Sequence, residues 1–266
     1  MITAVDYHII DRCNLNCAAC NHFCSLVPST DKGKSIEQIT ADLTLLSRFK
    51  DEIKYLNIMG GEPTLHPQLS KILRIARQLF PNNIINLATN GVLYNKFDRW
   101  KDSIIENKIT VCLTIYPYCN EYYEHADIIK NILGPDVEIR CFDREEKFEQ
   151  VFLSNNNIVP SEEEIRMCYR RDNCSQLKNG RLYICHFAAQ FNRLKDYFGD
   201  KVTFDLDGNE YLDLNGDITT EDFYNFLCNS MPNICYHCVD AMKKNREDYK
   251  KPWGITQKNL NEWVVD

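Results

Sequence analysis

The stretch Val5-Asp6-Tyr7-His8-Ile9-Ile10-Asp11-Arg12-Cys13-Asn14-Leu15-Asn16-Cys17-Ala18-Ala19-Cys20 joins a short apolar run to three closely spaced cysteines. Residues 5–10 read as a strand, and the thiols follow at C-x3-C-x2-C spacing in the loop leaving it. Thiolates this close can converge on one metal centre. Three protein ligands leave a coordination position open, and an open position is where a metal site does chemistry. The triplet alone also suits a zinc knuckle that borrows a distant fourth ligand, or chance in a cysteine-rich chain.

Outward from this stretch, β-like runs alternate with helical ones. Strands are expected at 53–59, 84–88, 109–115 and 137–142, with a short sixth at 151–153. Between them, 35–49 carries apolar residues at helical spacing behind Ser35, a plausible cap with Gln38 three residues on. Further helices are expected at 69–80, 100–105 and 121–133. That order argues for an α/β fold with a parallel sheet and right-handed crossovers, open or rolled into a barrel. Composition turns polar at Ser154-Asn155-Asn156-Asn157, which sets an expected boundary between domains 1–157 and 158–266. Beyond it, strands are expected at 180–185 and 211–214, and helices at 188–198 and 220–227. The tail through Trp253 and Trp263 is apolar enough to dock.

A hydrophobic content of 44% with 11% aromatics supports a sizeable packed core across 266 residues. The net charge of −7, with no basic stripe, argues against nucleic acid as a partner. No apolar run approaches the roughly 20 residues needed to cross a bilayer, and no signal peptide is visible at the N-terminus. Thirteen cysteines in clustered spacings then favour metal ligation in a reducing cytoplasm over a disulfide scaffold. Cys112 and Cys141 read as strand-packing residues, Cys119 as isolated, and Cys228 as part of a helix core.

Two more motifs lie at strand ends: Gly60-Gly61-Glu62-Pro63 after the second and Thr89-Asn90-Gly91 after the third. Each alone is an ordinary turn. In a parallel α/β sheet, however, the loops after the strands open on one face, so both would meet the cysteine loop around a single mouth. Together these residues resemble the radical S-adenosylmethionine superfamily. The resemblance implies a partial TIM-like (β/α)6 barrel in which Cys13, Cys17 and Cys20 hold a [4Fe-4S] cluster, with S-adenosylmethionine on its fourth iron. It implies cofactor binding by Gly60, Gly61 and Glu62, with Asn90 and Thr114 as weaker candidates. An aromatic residue often precedes the third cysteine in this superfamily. Here it is Ala19, and His22 or Phe23 could stand in.

In the second half, Cys168, Cys185, Cys235 and Cys238 have the makings of a four-ligand site, with Cys174 as an alternative to Cys168. This is similar to the twitch or SPASM-type modules of the superfamily, small α/β extensions that carry an auxiliary Fe-S cluster, which the resemblance implies to be a [4Fe-4S]; the same thiolates would also suit a structural zinc. The whole is similar to the 2-deoxy-scyllo-inosamine dehydrogenase type. That implies reductive cleavage of the cofactor to a 5'-deoxyadenosyl radical and oxidation of a secondary alcohol on a sugar or cyclitol-like small molecule. An external donor of flavodoxin or ferredoxin type would supply electrons. The alternatives are a maturase of ribosomal peptides and a non-catalytic Fe-S protein. Arg140 is a candidate catalytic residue, and Tyr7, His8, Tyr116, Tyr183 and His186 are candidates for lining the pocket.

Overall fold

The computed structural model describes residues 2–116, 122–143, 147–149, 152–157, 160–239, 250–252 and 254–265. Its first half is built from β1 (Ile2–Ile10), α1 (Ile36–Ser47), β2 (Ile53–Gly60), α2 (Leu69–Leu79), β3 (Ile84–Thr89), α3 (Lys101–Glu106), β4 (Thr110–Ile115), α4 (Tyr122–Leu133) and β5 (Ile139–Asp143). These five strands pair in parallel, in sequence order. Alternation assigns the faces. Val5, Tyr7 and Ile9 of β1 are fully buried in the core with Ile39, Leu43 and Leu46 of α1. In α2 the buried set Leu69, Ile72, Leu73 and Ala76 follows the i, i+3, i+4, i+7 rhythm of a helix with one apolar stripe. Ser35 caps α1 as its sequence suggests, accepting from the Gln38 N–H at 3.2 Å.

The opposite face of the sheet is polar. Gln176, Asp6, Asn57 and Asn86 stand in register on neighbouring strands. Asn57 Nδ2 donates to Asp6 Oδ1 and Asn86 Nδ2 to Asn57 Oδ1, both at 2.7 Å. Burial pushes the Asp6 carboxyl up to about 6, against the opposing pull of its bonds from Asn57 and Gln176.

The rest of the chain forms β6 (Lys147–Glu149), β7 (Leu153–Ser154), α5 (Glu162–Arg166), α6 (Tyr169–Asn173), β8 (Ser175–Lys178), β9 (Arg181–Tyr183), α7 (His186–Phe198), β10 (Tyr211–Asp213), α8 (Thr220–Asn229), β11 (Lys250–Pro252) and β12 (Val264–Val265). The sixth parallel strand is not the expected one. Of residues 151–153, Val151 lies outside the described residues, and Leu153 belongs to β7, which pairs with β12 in a small sheet of its own. β8 takes the sixth place instead, on the far side of β1. With β9 and β10 antiparallel beyond it, one eight-stranded sheet runs β10-β9-β8-β1-β2-β3-β4-β5. The expected fold class, α/β with a dominant parallel sheet, is what the chain adopts.

Asp42 of α1 fastens the two halves. It is buried and accepts from Tyr7 Oη at 2.8 Å, Lys34 Nζ at 3.1 Å and the Gly180 N–H at 2.7 Å. Gly180 and Asn179 both have positive φ, the two-residue turn that a tight β8–β9 hairpin demands. Asp42→Ala would leave a buried ammonium and a buried N–H unpaired, at a cost of about 3 kcal/mol. Urea unfolding should show that loss, with Asp42→Asn recovering part of it. An unchanged midpoint would refute the role.

A second core lies beside α7, where Phe23, Phe187, Phe191, Leu194 and Trp263 pack together. The docking expected of the tail is thus realised at Trp263; Trp253 lies outside the described residues. Cys112 is buried as expected. Cys141 and Cys228 are exposed, because β5 is an edge strand and Cys228 lies off the buried stripe of α8, which carries Phe223 and Leu227. Cys119 lies outside the described residues. Among the described residues, no helix is long and apolar enough to cross a membrane.

Candidate metal centre

The loops after β1 to β4 surround an open cleft of about 160 Å³. Its lining includes Cys13, Cys17 and Cys20 together with Gly60, Gly61, Glu62, Asn90 and Thr114. Residues about a hundred positions apart in sequence meet because each follows the carboxyl end of a parallel strand.

The two glycines have a reason the sequence does not reveal. A Cβ on Gly60 would stand 2.2 Å from the carbonyl oxygen of Ile10, and one on Gly61 2.2 Å from that of Arg12. The absent side chains let the end of β2 lie against the end of β1, where Gly61 N donates to Ile10 O at 2.9 Å and Glu62 N to Arg12 O at 3.0 Å. Glu62 is fully buried. Its carboxylate accepts from Thr64 N at 3.1 Å, from the Thr64 hydroxyl, from Thr89 Oγ1 at 2.7 Å and from Asn90 N at 2.8 Å. Burial raises its pKa, while these donors pull it back. Glu62 therefore clamps the loop after β2 to the loop after β3. Asn90 completes the junction by donating through Nδ2 to Asn14 Oδ1 at 2.8 Å and to Cys13 Sγ at 3.6 Å.

The cysteine loop is held from both sides. Asp31 accepts from the N–H groups of Asp11 at 2.8 Å and Arg12 at 3.1 Å. From the C-terminal tail, Gly254 O accepts from Ala18 N at 2.8 Å, and Thr256 N donates to Asn16 O at 2.9 Å. Trp263 Nε1 donates to Cys20 O at 3.1 Å. Ala19 and Phe23 both have positive φ, the kinks that turn the loop back on itself. Phe23 buries its ring in the second core, against Phe187 at 5.9 Å and Trp263 at 6.5 Å, so it does not stand in for the missing aromatic. His22 does line the cleft. It lies between the imidazoles of His8 and His186, with ring centroids 4.9 and 4.8 Å away.

The thiols differ electrically. Burial, then the Glu62 carboxylate, pushes Cys13 up. Cys20 is pulled down to about 6, first by a hydrogen bond from Cys24, then by backbone N–H groups and the Arg193 guanidinium. Cys24 and Arg193 are additions to the expected set. Cys24 lines the cleft, and a fourth cysteine at x3 after Cys20 was countable in the sequence. Arg193 comes from α7 and carries no local signal.

A second, smaller pocket is lined by Cys168, Cys185, Cys235 and Cys238, with Arg170 and Arg171 beside them. Cys174 does not line it, although it lies close enough to Cys168 and Arg170 to feel their charges. Burial drives the Cys174 and Cys235 thiols to about 12. Among the described residues, no three His, Cys, Asp or Glu side chains converge on a point suited to a single ion; Cys13, Cys17 and Cys20 stand around the open first cleft. Arg140 is outside both linings and pairs with Glu138 at 2.7 Å. Tyr7 faces α1 rather than the cleft, and the Tyr183 ring lies tilted against that of Tyr211 at 5.5 Å; Tyr116 does line the first cleft.

A parallel α/β sheet whose strand-end loops gather three thiols, a glycine-supported carboxylate and an asparagine around an open cleft defines a class of metal-dependent α/β protein. Residues 7–140, half of the chain, match the Radical SAM superfamily, and the chain belongs to it. Membership implies a [4Fe-4S] cluster and S-adenosylmethionine. Soft thiolates around open space, flanked by polar strand-end groups, fit that pair. Among curated proteins, a probable GTP 3',8-cyclase of Methanococcus aeolicus is 30% identical over 142 residues, covering 52% of this chain and 43% of that protein. A GTP 3',8-cyclase of Chlorobaculum tepidum is 29% identical over 105 residues, covering 38% of this chain and 30% of that protein. The chain thus spans less than half the length of these curated relatives. The solved structure of BtrN in complex with AdoMet and 2-DOIA covers 94% of this chain and 99% of its own, at 15% identity and a TM-score of 0.55. At that identity the likeness is one of fold.

Proposed function

We propose that this enzyme uses the first cleft to cleave S-adenosylmethionine reductively and oxidises a secondary alcohol of a sugar or cyclitol-like molecule. Cys13, Cys17 and Cys20 would hold the [4Fe-4S] cluster, and Cys168, Cys185, Cys235 and Cys238 an auxiliary Fe-S cluster. When bound, the cluster and its cofactor supply a 5'-deoxyadenosyl radical that takes hydrogen from substrate. The chain's own part is positional. Glu62 and Asn90 fix the loops that would seat the cofactor, and Thr114 and Tyr116 line the same cleft, where they would help to orient the substrate C–H.

The observation that carries this reading is the second thiol-lined pocket. An oxidation must dispose of an electron as well as a proton, and a second cluster would accept it. The fold of a protein solved with AdoMet and 2-DOIA supports the reading, since it matches nearly end to end. A flavodoxin or ferredoxin would reduce the first cluster.

Anaerobic reconstitution should give about eight irons per chain, four for each [4Fe-4S] cluster. Replacing Cys13, Cys17 and Cys20 by alanine should abolish 5'-deoxyadenosine formation and remove half of the iron. Survival of cofactor cleavage in that variant would refute the assignment. Deuterium transfer into 5'-deoxyadenosine from labelled cyclitols and sugars, but not from peptides, would support the substrate class; transfer from peptides alone would overturn it. A cluster protein that never forms 5'-deoxyadenosine would point to electron transfer.

A further inference from the structure

We propose that Arg193 is the positioning residue of the cysteine loop: one guanidinium fastens both ends of residues 11–22 and so sets how Cys13, Cys17 and Cys20 face the first cleft. The proposal rests on the reading of that cleft given above. Residues 11–22 leave the sheet where β1 ends at Ile10 and turn back into the second core at Phe23, whose φ is 54°. Arg193 lies across the base of this loop. Its Nη2 forms an ion pair with Asp11 Oδ1 at the entry, and its Nη1 donates to the carbonyl of His22 at 2.7 Å at the exit. All three cysteines of the triplet lie between those two contacts.

The surroundings stiffen this clamp. Arg193 is buried, so its charge is screened little, and both bonds are charge-assisted. The planar fork of a guanidinium meets two acceptors at once, which the single ammonium of a lysine does less well. His8 of β1 braces the same base, with Nδ1 3.5 Å from Arg193 Nη2 and Nε2 3.0 Å from His22 Nδ1. The His22 carbonyl also accepts from the Cys24 thiol at 3.7 Å, and Arg193 Nη1 lies 3.8 Å from that sulfur. Asp31 and the tail hold the loop elsewhere: Asp31 at the N–H groups of Asp11 and Arg12, the tail at Asn16, Ala18 and Cys20. Those contacts fix points along the loop, whereas Arg193 fixes the distance between its ends.

A loop closed at its base samples fewer shapes than one held at a single end, so its thiols are preorganised for a shared centre. Arg193 acts on those thiols through Asp11 and His22. It reaches them from α7, the helix whose first residue follows Cys185 of the second pocket. The second half of the chain therefore completes the frame of the first cleft.

The test is amide hydrogen exchange of the full chain, read on peptides covering residues 11–24, beside titration of the reconstituted chain with S-adenosylmethionine. In Arg193→Ala, exchange at 11–24 should quicken by at least about tenfold, as expected for losing a charge-assisted hydrogen bond, while α2 and β3 keep their protection. The dissociation constant of the cofactor should rise about tenfold with it. Arg193→Lys, which keeps the charge but not the fork, should recover part of both effects. Asp11→Asn should give a smaller change that does not add to that of Arg193→Ala, because both break one ion pair. Should Arg193→Ala lose protection throughout, Asp11→Asn decides: faster exchange confined to 11–24 supports the clamp, and unchanged exchange overturns it. Unchanged exchange in Arg193→Ala would overturn it directly. Quickened exchange with unaltered cofactor affinity would overturn it too, since the clamp would then not reach the thiols. A wild-type chain that binds no cofactor would overturn the reading of the first cleft, while the exchange comparison would still decide whether Arg193 holds the loop.

Discussion

Trp263→Ala is expected to strip iron from the first cleft although Trp263 ligates nothing. Its indole is almost completely buried, packed near Phe23 and Phe198, and its Nε1 donates to the carbonyl of Cys20. Truncating a buried tryptophan costs about 3–5 kcal/mol, a large share of the total stability of an ordinary domain. The loss falls on the cysteine loop. Phe23 would lose its cover, Cys20 its carbonyl partner, and the backbone bond from Leu153 N to Trp263 O at 2.7 Å would loosen with the tail. Denaturant unfolding should show the lowered midpoint, and iron analysis after reconstitution should show depletion. Trp263→Phe keeps an aromatic ring but not the N–H, and should fall between the two. Full iron occupancy in Trp263→Ala would mean that the loop is held without the tail.

Glu62→Gln should be nearly as damaging as Glu62→Ala. Every group facing this carboxylate is a donor: the Thr64 N–H and hydroxyl, the Thr89 hydroxyl and the Asn90 N–H. A glutamine must turn its NH2 toward at least one of them, setting donor against donor in a buried site. Removing one partner from a buried charge-assisted network costs about 3 kcal/mol. The loops after β2 and β3 would separate, and Asn90 would no longer be set beside Cys13. Cofactor affinity should fall by at least about tenfold, the equivalent of 1.4 kcal/mol, and 5'-deoxyadenosine formation with it. A Gln variant that binds and cleaves the cofactor normally would show that the clamp is dispensable.

Much of the first cleft was legible because its rule is topological. Once residues 5–10, 53–59 and 84–88 are read as parallel strands, Cys13, Gly60 to Glu62 and Asn90 must share one side of the sheet, and the structure brings them together. The helix at 35–49 was legible for a local reason, its apolar spacing and its Ser35 cap. The short strand β8 was not. Its sequence Ser175-Gln176-Leu177-Lys178 offers a single large apolar residue, and Ser175 and Gln176 are nonetheless fully buried where β8 pairs with β1. Arg140 pairs instead with Glu138, which two-residue alternation along the expected strand 137–142 already sets on the same side.

The sequence by itself determined the parallel α/β layout, the strand-end gathering of the cysteine triplet with the glycine pair, and the clustering of thiols in the second half. These follow from periodicity and spacing along the chain. Only the tertiary structure decided that Glu62 is a clamp, that the tail grips Cys20 through Trp263, that β8 closes onto β1, and that Arg193 reaches Cys24. Each of these joins residues from distant parts of the chain, through hydrogen bonds whose partners are chosen by three-dimensional packing and leave no pattern at either end.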